Sequence, residues 1–94
     1  MLEKQGLVKL VEECGELIQI ASKKMTRMDS DEHWDGKGSL RTRMEDEIAD
    51  VQAILEVIQH KFDLDLVRIQ TRKLEKMICF IGWDKQPEDS AVNV

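Results

Sequence analysis

The chain has 94 residues, a formal net charge of −5 and a pI near 5.0. That balance argues against a general nucleic-acid binder, which needs a basic face. The longest apolar run, Met77 to Ile81, is far too short to span a bilayer. One small domain is expected, and its own core is marginal, because a chain of this size buries only about 60–65% of its unfolded surface. Cys14 and Cys79 are too few for a disulfide scaffold and sit in apolar stretches, which suits buried reduced thiols. No charged n-region followed by an apolar h-region opens the sequence, so the cytosol is the expected compartment.

Helical periodicity runs through the chain, with no alternating strand pattern and no internal repeat. The first helix is expected from about residue 3 to 27, with Leu7, Leu10, Val11, Cys14, Leu17, Ile18, Ala21 and Met25 at three- and four-residue steps. Asp29 to Gly38 is polar and turn-rich and reads as a loop, although it contains Trp34. The second helix starts near Ser39 to Thr42. Thr42-x-x-Glu45 fits a capping box and Ser39 is a competing N-cap. Its expected seam is Met44, Ile48, Val51, Leu55, Ile58 and Phe62. Asp63 or Asp65 is expected to cap a third helix over about residues 64 to 81, with Leu66, Ile69, Leu74, Met77, Ile78 and Ile81 inward and Gly82 ending it. The domain is thus read as residues 1–82, followed by a mobile tail over 83–94. Three such helices enclose little core alone. The expected fold is all-α, three helices per protomer, with the bundle completed by a homodimer or homotetramer.

Two acidic runs stand out against this frame: Glu12-Glu13-Cys14-Gly15-Glu16 and Glu47-Ile48-Ala49-Asp50. At about 100° per residue, Glu12, Glu13 and Glu16 fall within one third of the first helix's circumference. Glu47 and Asp50, three apart, share a face of the second, bordering its Val51 and Ile54 side. One such pair is ordinary decoration of a solvated helix. Two, on consecutive helices and both beside the apolar seam, point to a site that gathers carboxylates around a cation, because like charges do not otherwise collect. Oxygen-only donors suit hard ions, Mg²⁺ or Mn²⁺. No H-E-x-x-H, C-x-x-C or EF-hand loop points elsewhere.

Leu10-Val11-Glu12-Glu13-Cys14-Gly15-Glu16-Leu17 followed by Glu47-Ile48-Ala49-Asp50-Val51 resembles the two-part signature of the MazG-like all-α nucleoside triphosphate pyrophosphohydrolases. The resemblance covers roughly residues 5 to 81 and is specific as a pair of motifs. It implies Mg²⁺-dependent hydrolysis of a (deoxy)nucleoside triphosphate between the α- and β-phosphates, giving a monophosphate and pyrophosphate. It also implies Glu13, Glu16, Glu47 and Asp50 as metal ligands. Glu12 matches a position some relatives lack, and is an auxiliary: an outer partner, a ligand of an additional metal, or a base for water. The compact length is similar to single-domain members, including those of bacteriophages, for which nucleotide-pool control or housecleaning in a bacterial or phage-infected cytosol would be the role. Phosphoribosyl-ATP pyrophosphohydrolase activity shares the carboxylate logic. A non-enzymatic helical oligomerisation or partner-binding module is the alternative of a different class.

Such chemistry needs cations for the departing phosphates. Lys37, Arg41 and Arg43, before and at the start of the second helix, are candidates, with Arg72, Lys73 and Lys76 on the third. Gly36-Lys37-Gly38-Ser39 is flexible enough to approach a phosphate but lacks the spacing of a P-loop. Trp34 could stack on a nucleobase or anchor its loop against the core or a partner subunit. Trp83 is expected to cover a helix end or interface, and His33 to lie at the surface.

Overall fold

The computed structural model describes residues 3–84. Among these, all regular structure is helical: α1 (Glu3–Met25), α2 (Leu40–Lys61) and α3 (Leu66–Asp84). The chain divides into two units, Met1–Leu64 and Asp65–Val94. The first holds α1, the connecting loop and α2; the second holds α3.

In the first unit α1 and α2 pack as an antiparallel hairpin. The covered face of α1 runs through Gly6, Leu10, Glu13, Leu17, Ile20 and Lys24, flanked by half-buried Cys14, Gly15, Ala21 and Lys23, and that of α2 through Leu40, Met44, Glu47, Val51, Ile54 and Ile58, flanked by Arg43 and Gln59. Both sets step by three and four, which marks one face of an α-helix. Among the described residues the fully apolar core is Ile20, Leu40, Ile54 and Ile58. A carboxylate from each helix, Glu13 and Glu47, sits in line with it.

The seam therefore differs from the one the periodicity favoured. Leu7, Val11, Ile18 and Met25 on α1, and Ile48, Leu55 and Phe62 on α2, are exposed. Each helix carries an apolar stripe wider than one neighbour can cover. The uncovered residues lie roughly 60–120° round from the covered ones, on the side away from the carboxylates. In an antiparallel pair both uncovered stripes fall on one face of the hairpin.

The N-terminus of α2 is capped by Ser39, whose extended backbone lets Oγ accept from the Thr42 amide at 3.5 Å, while its carbonyl accepts from the Arg43 amide at 3.1 Å. Thr42 cannot cap because it already lies inside the helix. The C-terminus of α2 closes as a Schellman motif. The Leu64 amide donates to the Gln59 carbonyl at 3.0 Å and the Asp63 amide to the His60 carbonyl at 3.3 Å. Asp63 occupies the left-handed position, φ 51°, usually taken by glycine.

In the second unit Asp65 caps α3, its Oδ1 accepting from the Arg68 amide at 3.0 Å. The helix does not stop at Gly82 but continues to Asp84. A lone glycine weakens a helix without ending it, and the Phe80 and Trp83 rings pack across this turn at 4.8 Å. Leu66, Leu74, Met77, Ile78 and Ile81 are exposed, as is Cys79, whereas Cys14 on α1 is half-buried. Of the tail expected over 83–94, Trp83 and Asp84 are helical; residues 85–94 lie outside the described ones. No described helix is long and apolar enough to cross a membrane.

Candidate metal centre

Glu13 and Glu16 from α1 meet Glu47 and Asp50 from α2 at mid-height of the hairpin. One carboxylate oxygen of each lies within 4.8 Å of the others. The pairing follows from the antiparallel register, in which Glu13 and Glu16 run down α1 as Asp50 and Glu47 run up α2. Glu13 is 8% exposed, and one oxygen of its carboxylate, Oε2, is buried with no hydrogen-bond donor; Glu47 Oε2 is in the same state. A buried acceptor left without a donor costs about 1–3 kcal/mol. Burial, then the neighbouring charges of Glu16 and Asp50, raises the Glu47 carboxyl above its ordinary value of 4.5. The donor set is all oxygen, partly dry and mutually repulsive, which fits a hard divalent cation.

The only cation paired directly with this group among the described residues is Lys9, 3.2 Å from Glu13 Oε1 and 3.4 Å from Glu12 Oε2. Those contacts raise the Lys9 ammonium above its ordinary 10.5, Glu13 contributing first and Glu12 second. Glu12 is not brought into the converging set. It lies about 100° round the helix from Glu13, away from α2, and accepts from Lys9 instead.

Toward the loop end, the carboxylates border a polar cavity of about 250 Å³ lined by Glu16, Gln19, Lys23, Lys37, Arg43 and Glu47, with Ile20 at its apolar wall. Lys37 and Arg43, two of the basic residues singled out from the sequence, are therefore beside the cluster. Arg41 is exposed and does not line this cavity. Lys73 and Lys76 belong to α3 in the other unit, where Lys76 Nζ sits 6.0 Å from the Phe80 ring centroid. Arg72 pairs with Glu75 at 3.7 Å.

The loop carries a second cluster that the sequence reading missed. Asp35, 11% exposed at its side chain, accepts from both terminal nitrogens of Arg43 at 3.2 Å each and lies 2.9 Å from Lys23 Nζ. Its Oδ1 also accepts from the Lys37 amide at 3.1 Å, an Asx turn between Gly36 and Gly38, both at positive φ. These contacts, Arg43 foremost and Lys23 second, hold the Asp35 carboxyl far below the usual range. The Asp35-Gly36 turn was the available signal; a loop aspartate as an ion-pair centre leaves none in periodicity. Lys24 ties down the other end of the loop, donating to the Ser30 carbonyl at 2.8 Å and Asp31 Oδ1 at 3.2 Å. The Asp31 carbonyl accepts from the Leu40 amide at 2.6 Å.

His33 is not a surface residue. Its side chain is 4% exposed, with Nδ1 accepting from the Asp35 amide at 3.3 Å. The loop folds back over the end of α1 and covers the ring, an effect no local pattern announces. Trp34 is 81% exposed and tilted against His33 at 4.9 Å between ring centroids, so it does not anchor the loop into the core of its own unit.

Compared with known proteins, the chain matches no family model, no curated protein and no solved structure.

Proposed function

We propose that this protein is a Mg²⁺-dependent nucleoside triphosphate pyrophosphohydrolase, with Mn²⁺ as a substitute ion, that cleaves a (deoxy)nucleoside triphosphate between its α- and β-phosphates. The observation that carries the reading is the convergence of Glu13, Glu16, Glu47 and Asp50, with an orphaned oxygen on each of Glu13 and Glu47. Such a cradle is unfavourable empty and becomes favourable around a divalent cation. When bound, that ion would neutralise phosphate oxygens and acidify a water for in-line attack at the α-phosphorus. The chain's own residues would do the rest. The four carboxylates hold the charge in place, and the adjoining cavity offers Lys37 and Arg43 to the departing phosphates. Glu12 stays available as an auxiliary group beside Lys9.

The uncovered apolar face of the hairpin supports a homodimer or homotetramer as the working form. Trp34, exposed on the loop, would then meet a nucleobase or a partner subunit. A cytosolic role in trimming a nucleotide from the pool fits the activity. Phosphoribosyl-ATP pyrophosphohydrolysis would use the same carboxylates.

The test is pyrophosphate release with Mg²⁺ from a panel that includes the common and non-standard triphosphates and phosphoribosyl-ATP, wild type against Glu16→Gln. Release that needs Mg²⁺ and vanishes in the variant is expected. In labelled water the label should enter the monophosphate; label in pyrophosphate would sink attack at the α-phosphorus. If no nucleotide on the panel is cleaved, the non-enzymatic module becomes the better description.

A further inference from the structure

The cavity beside the carboxylates is acidic at one end and basic at the other. Glu16 and Glu47, two members of the cluster, form the acidic end, and Lys23 and Arg43 lie toward the loop. Lys23 is seven residues beyond Glu16, two turns or about 10 Å along α1; Arg43 is four residues before Glu47, about 6 Å along α2. Every basic residue of this cavity is attached to one carboxylate. Asp35 grips the Arg43 guanidinium with both oxygens, pairs with the Lys23 ammonium, and fixes the Lys37 backbone. One cation from each helix is thus held directly, and the loop lysine, Lys37, is fixed through its backbone beside them.

We propose that Asp35 is a positioning residue that presets the Lys23 and Arg43 side chains, and the backbone at Lys37, to receive the terminal phosphates of a metal-bound polyphosphate. The inference rests on the phosphate-ester reading above and deepens it at the same site. Lysine and arginine side chains are long and mobile, and holding them before the ligand arrives lowers the cost of binding. The grip does not consume them. An ammonium has three donors and Lys23 gives one to Asp35; a guanidinium has five and Arg43 gives two. The remaining donors are free to meet phosphate oxygens, where bidentate contact is strongest. The charge balance sets a condition. Three cations face Glu16, Glu47 and Asp35, so the wall is attractive to a polyanion only once the carboxylates are neutralised by a divalent ion.

Magnesium with inorganic pyrophosphate is the probe, titrated calorimetrically into the full chain, with thermal melts on every variant. Wild type should bind pyrophosphate with Mg²⁺ and much more weakly without it. Asp35→Asn should weaken that binding roughly tenfold, the loss of about one charge-assisted contact. In turnover its effect should fall on KM and on pyrophosphate inhibition more than on kcat. Asp35→Glu, which keeps the charge, should recover part of the loss. Unchanged pyrophosphate affinity in Asp35→Asn, with a lowered melting temperature, would make Asp35 a structural pin and overturn the proposal. Should Asp35→Asn not fold, Lys23→Ala leaves the Asp35–Arg43 pair intact; it must weaken pyrophosphate several-fold, and no change there overturns the proposal as well. A wild type that binds Mg-pyrophosphate yet cleaves no nucleotide sinks the enzymatic reading and leaves this one standing. A wild type that cleaves nucleotides but whose pyrophosphate affinity ignores Asp35 and Lys23 does the reverse.

Discussion

The carboxylate cluster and the Asp35 hub lie on the same hairpin, about two helical turns apart along α1 and one along α2, and they treat charge in opposite ways. In the cluster four like charges converge and two buried oxygens have no donor. At the hub one carboxylate meets two cations, Arg43 and Lys23, and accepts from one backbone amide, that of Lys37, while the Asp35 amide donates to His33 Nδ1. The consequence is read in the acids themselves. Glu47 is pushed up by burial and its acidic neighbours, whereas Asp35 is pulled down by Arg43 and Lys23. The hub is complete within the chain; the cluster is not. The cation of the proposed function would supply the missing partner.

The contrast makes its largest prediction at the cluster. Glu13→Gln or Glu16→Gln should lower Mg²⁺-dependent pyrophosphate release by about 10²-fold or more, because an open-site metal loses a charged ligand. The apo melting temperature should hold or rise, since a like charge has gone. A variant that loses activity only because it unfolds would break the comparison.

Packing gives the next effect. Leu40 is fully buried at the first position of α2, directly after the loop. Leu40→Ala should cost about 2–5 kcal/mol by denaturant unfolding, and should loosen the hub more than the cluster, visible as faster hydrogen exchange over the loop. Metal comes third. Mg²⁺ should raise the melting temperature of wild type, by up to about 2.7 kcal/mol of stabilisation at a hundredfold excess over Kd, and do so far less in Glu47→Gln.

pH separates the two regions by sign. The folded Glu47 carboxyl titrates above 4.5, so the native state holds its proton more tightly than the unfolded chain. Its favourable contribution is full below 4.5 and is lost as pH rises through the raised value. Asp35 behaves oppositely: its contribution is present above 3.8 and is lost as pH falls toward its depressed value. Metal-free protein should therefore gain stability on acidification toward 4.5 and lose it below 3.8. Glu47→Gln should remove part of the first limb and Asp35→Asn part of the second, in melts across the range. The smallest effect lies outside both regions. Asp63→Gly, at φ 51° in the Schellman turn, should stabilise by about 0.5–1 kcal/mol; destabilisation would mean that the Asp63 side chain contributes more than its backbone strain costs.

Much of the fold was legible in order along the chain. The three helices, the loop between α1 and α2, and Ser39 as one of two candidate caps follow from period, polarity and capping chemistry. The acidic runs were legible too, because three-residue spacing puts carboxylates on one face wherever the helix goes. Less was legible in the loop. His33 was expected at the surface, Asp35 fell within a polar, turn-rich loop, and nothing in the sequence singled out Lys23. Their burial and pairing arise where the loop folds back across the end of α1, a contact between residues eight to twelve apart with no periodic signature.

By itself the sequence determined the helical class, the angular position of each side chain on its own helix, and the chemistry of an oxygen-only donor set. Only the tertiary structure decided which way each helix turns. That rotation put Glu13 and Glu47 in the contact line and left Glu12 with Lys9. It covered Leu40, Ile54 and Ile58 while leaving Ile48, Leu55 and Phe62 open. It also let one loop aspartate collect a cation from each helix. The physical reason is that periodicity sets the angle between residues of one helix, whereas the azimuth of its neighbour is chosen by packing, and an apolar stripe wider than one contact permits more than one choice.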